Sequence, residues 1–372
     1  MSGVKYILLL GGTGVMGEQL VQLLSQSSDI ICCVTSRNKH DDYGNIKFLQ
    51  GNAKDISFLT EVLNMFSWDC IVDFMVYSTE QFRERVTLLL QSTKHYVFIS
   101  SARVYADSVE QLTEDSPRLL DVCTDQEYLN TDEYALTKAR QEDLLIDSGL
   151  KNWTILRPYI TFGENRLQLG VMEKEMWLIP ALNNRPIVFS KDIATCYTTM
   201  TDGYVLAQSI IALMDNDAAK GEIFHVTSEY SYKWSEILEW YLKVIEDIKG
   251  VKPCVHYTEQ WDSRFGGELY QWKYDRLYNR KFSNKKIRRF VSDDIFLQSE
   301  QSIKKSIASF INSYRPNVKD LNPNVEFARG VLTGKFLPIQ QISGMKRKLK
   351  VIAHKMHIYN LLQLIYHGTK VH

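Results

Sequence analysis

The stretch Lys5-Tyr6-Ile7-Leu8-Leu9-Leu10-Gly11-Gly12-Thr13-Gly14-Val15-Met16-Gly17 constrains this chain more than any other. A short apolar run, Tyr6 to Leu10, breaks straight into glycines. A helical pattern follows, with apolar residues at Leu20, Val21, Leu23 and Leu24. Strand, glycine-rich turn and helix in that order predict the phosphate-binding corner of a dinucleotide fold. Gly11 permits the tight turn, Gly14 lets backbone approach a pyrophosphate, and Gly17 lets the helix pack close to the strand. The helix then begins at Val15 and Met16, whose end offers unpaired N–H groups and a positive dipole to an anion.

The rest of the N-terminal half repeats this alternation. Strands are expected at Lys5–Leu10, Ile30–Thr35, Ile46–Gln50, Cys70–Val76, Tyr96–Ser100 and Trp153–Arg157, with helices near 15–26, 55–65, 79–92 and 133–147. Continuous apolar strands between amphipathic helices predict an α/β doubly wound parallel-sheet (Rossmann) domain. Residues 1–162 form it, with 196–228 returning to it through a helix near 203–214 and a strand at Ile223–Thr227. A smaller mixed α/β substrate-binding domain is expected from 163–195, which lacks clean periodicity, and 229–330, with a helix at Trp234–Ile248. Residues 255–290, rich in Tyr, Trp, Arg and Lys, suit a ligand-facing or interface region. Residues 331–372 are expected to be a basic extension.

Composition sets the compartment and the excluded classes. At 372 residues and 45% hydrophobic, the chain can bury a large core. Its apolar runs fall short of the roughly 18 residues that span a bilayer, and its start lacks a signal-peptide pattern. The six cysteines have no metal-ligand spacing and read as reduced thiols of a cytoplasmic protein; no metal is expected. From Phe327 onward there are eight Lys or Arg and no acid, which leaves 36 basic against 44 acidic residues before it. An acidic body disfavours nucleic-acid binding. The tail from Met345 to Tyr366 spaces Leu349, Ile352, Met356 and Tyr359 three or four apart among lysines. That pattern predicts a basic amphipathic helix, which packs on its own domain or a dimer mate, the alternative being contact of residues 345–372 with a partner or an anionic membrane surface.

Tyr134-Ala135-Leu136-Thr137-Lys138 opens a predicted helix, so phenol and ammonium share a face. An ammonium beside a phenol lowers its pKa and makes Tyr134 a candidate general acid/base. The strand Tyr96–Ser100 runs into Ser101, whose hydroxyl at a strand's carboxyl end faces the cofactor cleft.

Taken with Ser100-Ser101-Ala102-Arg103-Val104-Tyr105 and Leu156-Arg157-Pro158 followed by Phe162-Gly163, these motifs resemble the extended short-chain dehydrogenase/reductase family, in its nucleotide-sugar epimerase/dehydratase branch. The resemblance covers residues 1 to about 230. It implies that Tyr134 is the acid/base, that Lys138 binds the nicotinamide ribose and tunes Tyr134, and that Ser101 is the third catalytic residue, with Ser100 the competing choice. It implies a nucleotide-sugar substrate and epimerisation by transient oxidation of a sugar hydroxyl. The alternatives are an NADPH-dependent keto-sugar reductase and, in another class, a non-catalytic dinucleotide-binding regulator or scaffold. The chain is expected to form a homodimer.

Several positions depart from the family pattern. Ala102 and Arg103 stand where dehydratases of this branch carry an acidic pair, which disfavours elimination of water. Ile160 stands where an Asn is usual, Val205 where an Asp is usual, and Cys196–Thr201 lacks a customary Arg. Lys273 and Arg276 are candidate replacements for the substrate's anion contact, an arginine fork suiting phosphate oxygens. At the end of the second strand, Ser36 and Arg37 precede any acid, Asp41 and Asp42 lying further along the loop. A hydroxyl followed by a guanidinium suits a 2′-phosphate, so NADP is expected slightly ahead of NAD.

Overall fold

A computed structural model describes residues 4–296 and 299–356. The chain divides into two compact units. The first holds the chain up to Arg166 together with Cys196–Lys233 and Lys273–Ser306; the second holds Leu167–Thr195, Trp234–Trp272 and residues from Ile307 onward.

The first unit is built on seven strands: β1 Lys5–Leu10, β2 Ile30–Ser36, β3 Ile46–Gln50, β4 Cys70–Asp73, β5 Tyr96–Ile99, β6 Trp153–Pro158 and β7 Glu222–Val226. Their order is β7-β6-β5-β4-β1-β2-β3, and every neighbouring pair is parallel. The order reverses between β1 and β4, the switch point where doubly wound sheets open a crevice at the strands' carboxyl ends.

The central strands β1, β4 and β5 are almost wholly apolar because both faces are covered, whereas the edge strand β3 carries Lys47 and Gln50. On β1, Ile7 and Leu9 pack with Leu20, Val21 and Leu24 of α1 (Val15–Leu24). Leu8 and Leu10 point the other way, into Leu59, Val62 and Leu63 of α2 (Ile56–Leu63). Helices α3 (Tyr134–Ile146) and α4 (Gly203–Met214) continue the two layers, Leu145 on the second face and Leu206, Ile210 and Leu213 on the first. Short pairings complete the unit: Thr161–Phe162 runs parallel to Thr201–Asp202, and Tyr197–Thr198 antiparallel to Tyr232–Lys233.

One local expectation of the first unit is corrected. The helix expected over 79–92 is two, Thr79–Arg83 and Val86–Gln91. The break serves Arg85, whose buried guanidinium turns back to the Gln81 carbonyl, donates to the Lys54 carbonyl at 3.1 Å and lies over the Tyr77 ring. In the second unit, the aperiodic stretch after residue 163 contains the helix Lys174–Leu182 and the strand Ile187–Ser190, which pairs in parallel with Val255–Thr258. That helix buries every residue from Trp177 to Leu182, so no polar face marks it in sequence. Trp177 stacks on Tyr241 of α5 (Trp234–Lys249), and Glu326 of the helix Pro323–Thr333 holds Arg185 and Arg329 at 2.8 and 2.7 Å.

The basic helix of the tail runs Met345–Lys355. The expected apolar stripe is not the buried one: Val351 and Ala353 are buried, whereas Leu349 and Met356 are 56% and 61% exposed. Tyr359 to Tyr366 lie outside the described residues. Cys32, Cys33 and Cys70 are buried free thiols, and Cys254 is an exposed one. Among the described residues, no helix is long and apolar enough to cross a membrane.

The glycine turn makes two of its residues experimentally separable. A Cβ on Gly17 would lie 2.3 Å from the Gly12 carbonyl oxygen, a backbone atom that cannot yield without moving the turn. A Cβ on Gly14 would meet nothing within 4 Å. Gly17→Ala is therefore expected to cost at least about 2 kcal/mol and lower Tm by several degrees. Gly14→Ala should leave the Tm of the unliganded protein within about 2 °C of wild type; thermal unfolding of both variants checks the contrast.

Candidate active site

The glycine turn, the ends of β2, β4 and β5, and the start of α3 meet within the first unit. Gly11 adopts φ +70°, and its amide donates to the Thr35 hydroxyl at 2.9 Å, which fixes the turn to the end of β2. Helix α1 starts from Gly14 with no side-chain cap, so its first N–H groups remain for an anion. The open space over Gly14 is a cradle that any side chain would invade. These features fit the diphosphate of a nicotinamide dinucleotide. Ser36 is buried and its hydroxyl accepts from the Asn38 amide at 3.2 Å, while Arg37 is exposed beside it. Asp42 is turned away, accepting from the Phe48 amide at 2.8 Å.

Two serines end β5 and go to different partners. Ser100 donates to Glu142 of α3 at 2.6 Å, inside a buried cluster. Ser101 accepts from the Arg103 amide at 3.2 Å and lies near enough to the Tyr134 phenol to favour its ionised form. Lys138, one turn further along α3, is buried and donates to the Ile99 carbonyl at 2.8 Å and the Met75 carbonyl at 3.4 Å. Met75 also packs its sulfur against Gly11, at 2.7 Å from where a Cβ would stand. Ser101, Tyr134, Lys138 and the glycine turn thus belong to one connected set of contacts.

The electrostatics differ from the simple expectation of a lysine-activated tyrosine. The Tyr134 phenol is pushed up from its ordinary pKa, burial being the largest cause. The guanidiniums of Arg103 and Arg166 and the neighbouring Ser101 hydroxyl oppose that push. The Arg103 guanidinium lies over the Tyr134 ring, 5.2 Å from its centroid. Lys138 itself is driven down to about 8 by burial, with Asp73 and Glu142 partly restoring its charge.

The two candidate anion contacts are separated. Lys273 is partly exposed and pairs with Asp125 at 2.9 Å. Arg276 is buried, bonded to Asp275 and 3.4 Å from the Tyr159 hydroxyl. Burial, then the nearby Arg103 and Arg166, push Arg276 down to about 10, with Tyr159 partly restoring it. Sequence reasoning missed Arg103, Glu133, Asp275 and Arg280. Asp275 is buried between Arg276 and Arg280, the latter at 3.0 Å, and accepts from Tyr159 at 3.1 Å. Glu133 caps α3 through the Ala135 amide at 2.7 Å and pairs with Arg103. The only signal for Arg103 was its place where an acid is usual.

Ile160, standing where Asn is usual, adopts φ +42°. Asn tolerates the left-handed region, whereas a β-branched residue is strained there, by about 1–3 kcal/mol. The strained peptide lies at the end of β6, where the Ile160 carbonyl accepts from the Thr201 amide at 3.2 Å.

The model of the NAD dependent epimerase/dehydratase family matches residues 7–205, and the chain belongs to that family. No curated protein matches the sequence. Solved structures with the same fold include the dTDP-glucose 4,6-dehydratase of Bacillus anthracis in complex with NAD, at 15% identity and TM-score 0.63, over 83% of this chain and 97% of that one. A UDP-glucuronic acid 4-epimerase from Bacillus cereus, in complex with UDP-glucuronic acid and NAD, matches at 15% identity and TM-score 0.62, over 83% and 100%. The Bordetella bronchiseptica enzyme WbmH, in complex with NAD+, matches at 13% identity and TM-score 0.64, over 84% and 99%.

The buried lysine makes a pH-dependent prediction. The unfolded chain holds the Lys138 proton to its ordinary 10.5, and the folded protein releases it near 8. The cost of burying the charge is therefore complete below pH 8 and is relieved as pH rises toward 10.5. Wild type should gain stability relative to Lys138→Met across that window and show a constant difference below it. Thermal unfolding of both proteins from pH 7 to 10 measures this.

Proposed function

We propose that the chain is an epimerase acting on a nucleotide-activated sugar by transient oxidation of a ring hydroxyl. The observation that carries this reading is the convergence of Ser101, Tyr134 and Lys138 beside the glycine turn in one compact unit. A bound nicotinamide supplies the hydride acceptance. Gly11, Gly14, Val15, Met16 and Gly17 would hold its diphosphate, and Lys138 its ribose. Ser101 would hold the sugar oxygen while Tyr134 takes the hydroxyl proton as the carbonyl forms. Returning that proton as the opposite face of the ring is reduced gives the epimer. Arg276, behind Tyr159, is the residue best placed for a substrate anion; Lys273 would have to leave Asp125 to join it.

The family includes epimerases and dehydratases, and Ala102 and Arg103 favour the former. Expelling a hydroxyl as water requires a proton donor, and an alanine and a guanidinium provide none at working pH. Keeping all three catalytic groups also speaks against a non-catalytic scaffold. One observation favours a second reading: Ser36 and exposed Arg37, with no acid beside them, suit NADP and hence a keto-sugar reductase. Homodimer formation and a cytoplasmic site of action belong to the same reading.

A thermal-shift screen of UDP-, GDP-, CDP- and dTDP-sugars with cofactor present tests the substrate class. A true ligand at about one hundred times its Kd adds about 2.7 kcal/mol; no shift with any of them would sink the reading. On the sugar so found, Tyr134→Phe should lower turnover about 10²–10⁴-fold without changing Tm or cofactor retention. For the cofactor, Kd values for NAD and NADP should favour NADP modestly in wild type, and Arg37→Ala should weaken NADP alone. Tighter NAD, with NADP unaffected by the substitution, would remove Arg37 from that role.

A further inference from the structure

We infer that Arg103 is the positioning residue that activates Tyr134, a part that the family resemblance gives to Lys138. The inference rests on the reading of Tyr134 as the acid/base and concerns how that phenol is made to work.

Arg103 is tied to the site at both ends. It lies in the turn Ala102–Val104, and its amide donates to the Ser101 hydroxyl at 3.2 Å. Its guanidinium lies over the Tyr134 ring, 5.2 Å from the centroid, with 14% of the side chain exposed. Two carboxylates hold it there. Glu133 pairs with it, and Asp275 Oδ2 stands 3.5 Å from its Nε. Glu133 is itself fixed, accepting from the Ala135 amide at 2.7 Å and the Tyr128 hydroxyl at 3.2 Å. Because Glu133 caps the helix that Tyr134 begins, one carboxylate places both that helix and the guanidinium against its first ring.

Lys138 is placed for another task. It donates to the Ile99 carbonyl at 2.8 Å and the Met75 carbonyl at 3.4 Å, and its ammonium lies 4.5 Å from the centre of the Phe98 ring. Burial drives it down to about 8, whereas burial pushes the phenol up from its ordinary 10. Rising pH therefore strips the lysine of its charge before the phenol ionises, and a neutral amine gives a phenolate no counter-charge. A guanidinium stays charged throughout that range. An opposite charge within about 4–6 Å favours the ionised form.

The other groups that face the phenol fix the sign of the effect. Arg166, which donates to the Thr161 hydroxyl at 3.0 Å, acts in the same direction as Arg103 and less strongly. The Ser101 hydroxyl adds to both, and Glu133 acts against them. Arg103 also neutralises Glu133. Removing the guanidinium thus withdraws a cation from the ring and leaves a bare carboxylate beside it, and both changes push the phenol up.

Ultraviolet titration of the phenolate in the cofactor-bound enzyme tests this without substrate, each protein being compared with its own Tyr134→Phe version. Arg103→Gln is expected to raise the Tyr134 midpoint by about 1 pH or more, Arg103→Lys to restore most of it, and Lys138→Met to leave it in place. On an accepted substrate, the rising limb of kcat/KM against pH should move with the midpoint, so that Arg103→Gln loses about 10-fold at pH 7. Lys138→Met should instead lose activity without moving that limb. The double variant Arg103→Gln/Glu133→Gln removes the pair without orphaning a buried carboxylate, and its phenol should still titrate above wild type; it serves if Arg103→Gln alone does not fold. A midpoint moved by Lys138→Met and not by Arg103→Gln overturns the proposal, as does no movement in either or a larger movement in Arg166→Gln. So does an activity loss in Arg103→Gln that is equal at every pH, the mark of a merely structural role. Failure of every nucleotide sugar to react would remove the substrate reading and leave the absorbance result to decide this one.

Discussion

One buried carboxylate, Glu142, organises the first unit. It accepts two bonds from Arg157 of β6, at 2.8 and 2.7 Å, and one from Ser100 at the end of β5. Arg118 approaches the same group at 3.4 Å. Helix α3 is thereby fastened to the ends of two adjacent strands, and its position sets where Tyr134 and Lys138 stand. Removing one partner of such a buried pair leaves an orphaned charge and costs about 3–5 kcal/mol. The Arg157 guanidinium also lies over the Tyr105 ring, which in turn contacts His225 of β7. The motifs Ser100-Ser101, Tyr134 to Lys138 and Leu156-Arg157-Pro158 are far apart in sequence and meet at this carboxylate.

Much of this was legible in the chain before folding. Strands β1 and β2 are rich in Ile, Leu, Val and Cys, the near-continuous apolar composition of strands buried on both faces. The turn was legible because Gly11 and Gly17 answer to steric limits that no other residue meets. Helix α3 was placed among the helical patterns over 133–147, although its buried Lys138, Gln141 and Glu142 weaken the hydrophobic period. The same effect hid Lys174–Leu182, which is buried nearly all round and contains Pro180. Charge partnerships were the least legible part. Asp275 was passed over inside a run of basic residues, and nothing in the order of the chain reveals that it sits between Arg276 and Arg280. Nor could spacing alone reveal that Lys138 spends its donors on the carbonyls of Ile99 and Met75.

The site therefore divides its positive charges by task. Lys138 is sequestered beneath the sheet's end, desolvated and close to losing its proton at neutral pH. The Arg103 guanidinium is packed against the Tyr134 ring. Burial raises the pKa of the Tyr134 phenol, which favours its protonated form.

The contrast between Arg276 and Lys273 has a consequence in ionic strength. Mobile ions at 0.15 M screen exposed charges over about 8 Å, but they do not penetrate a dry interior. The Lys273–Asp125 pair, with 46% and 27% of its side chains open to solvent, is subject to that screening. Arg276, Arg280 and Asp275 are shut away from it. An anion captured at the buried cluster would be held almost as firmly in concentrated salt as in dilute buffer, so salt tolerance distinguishes the inner contact from the outer one.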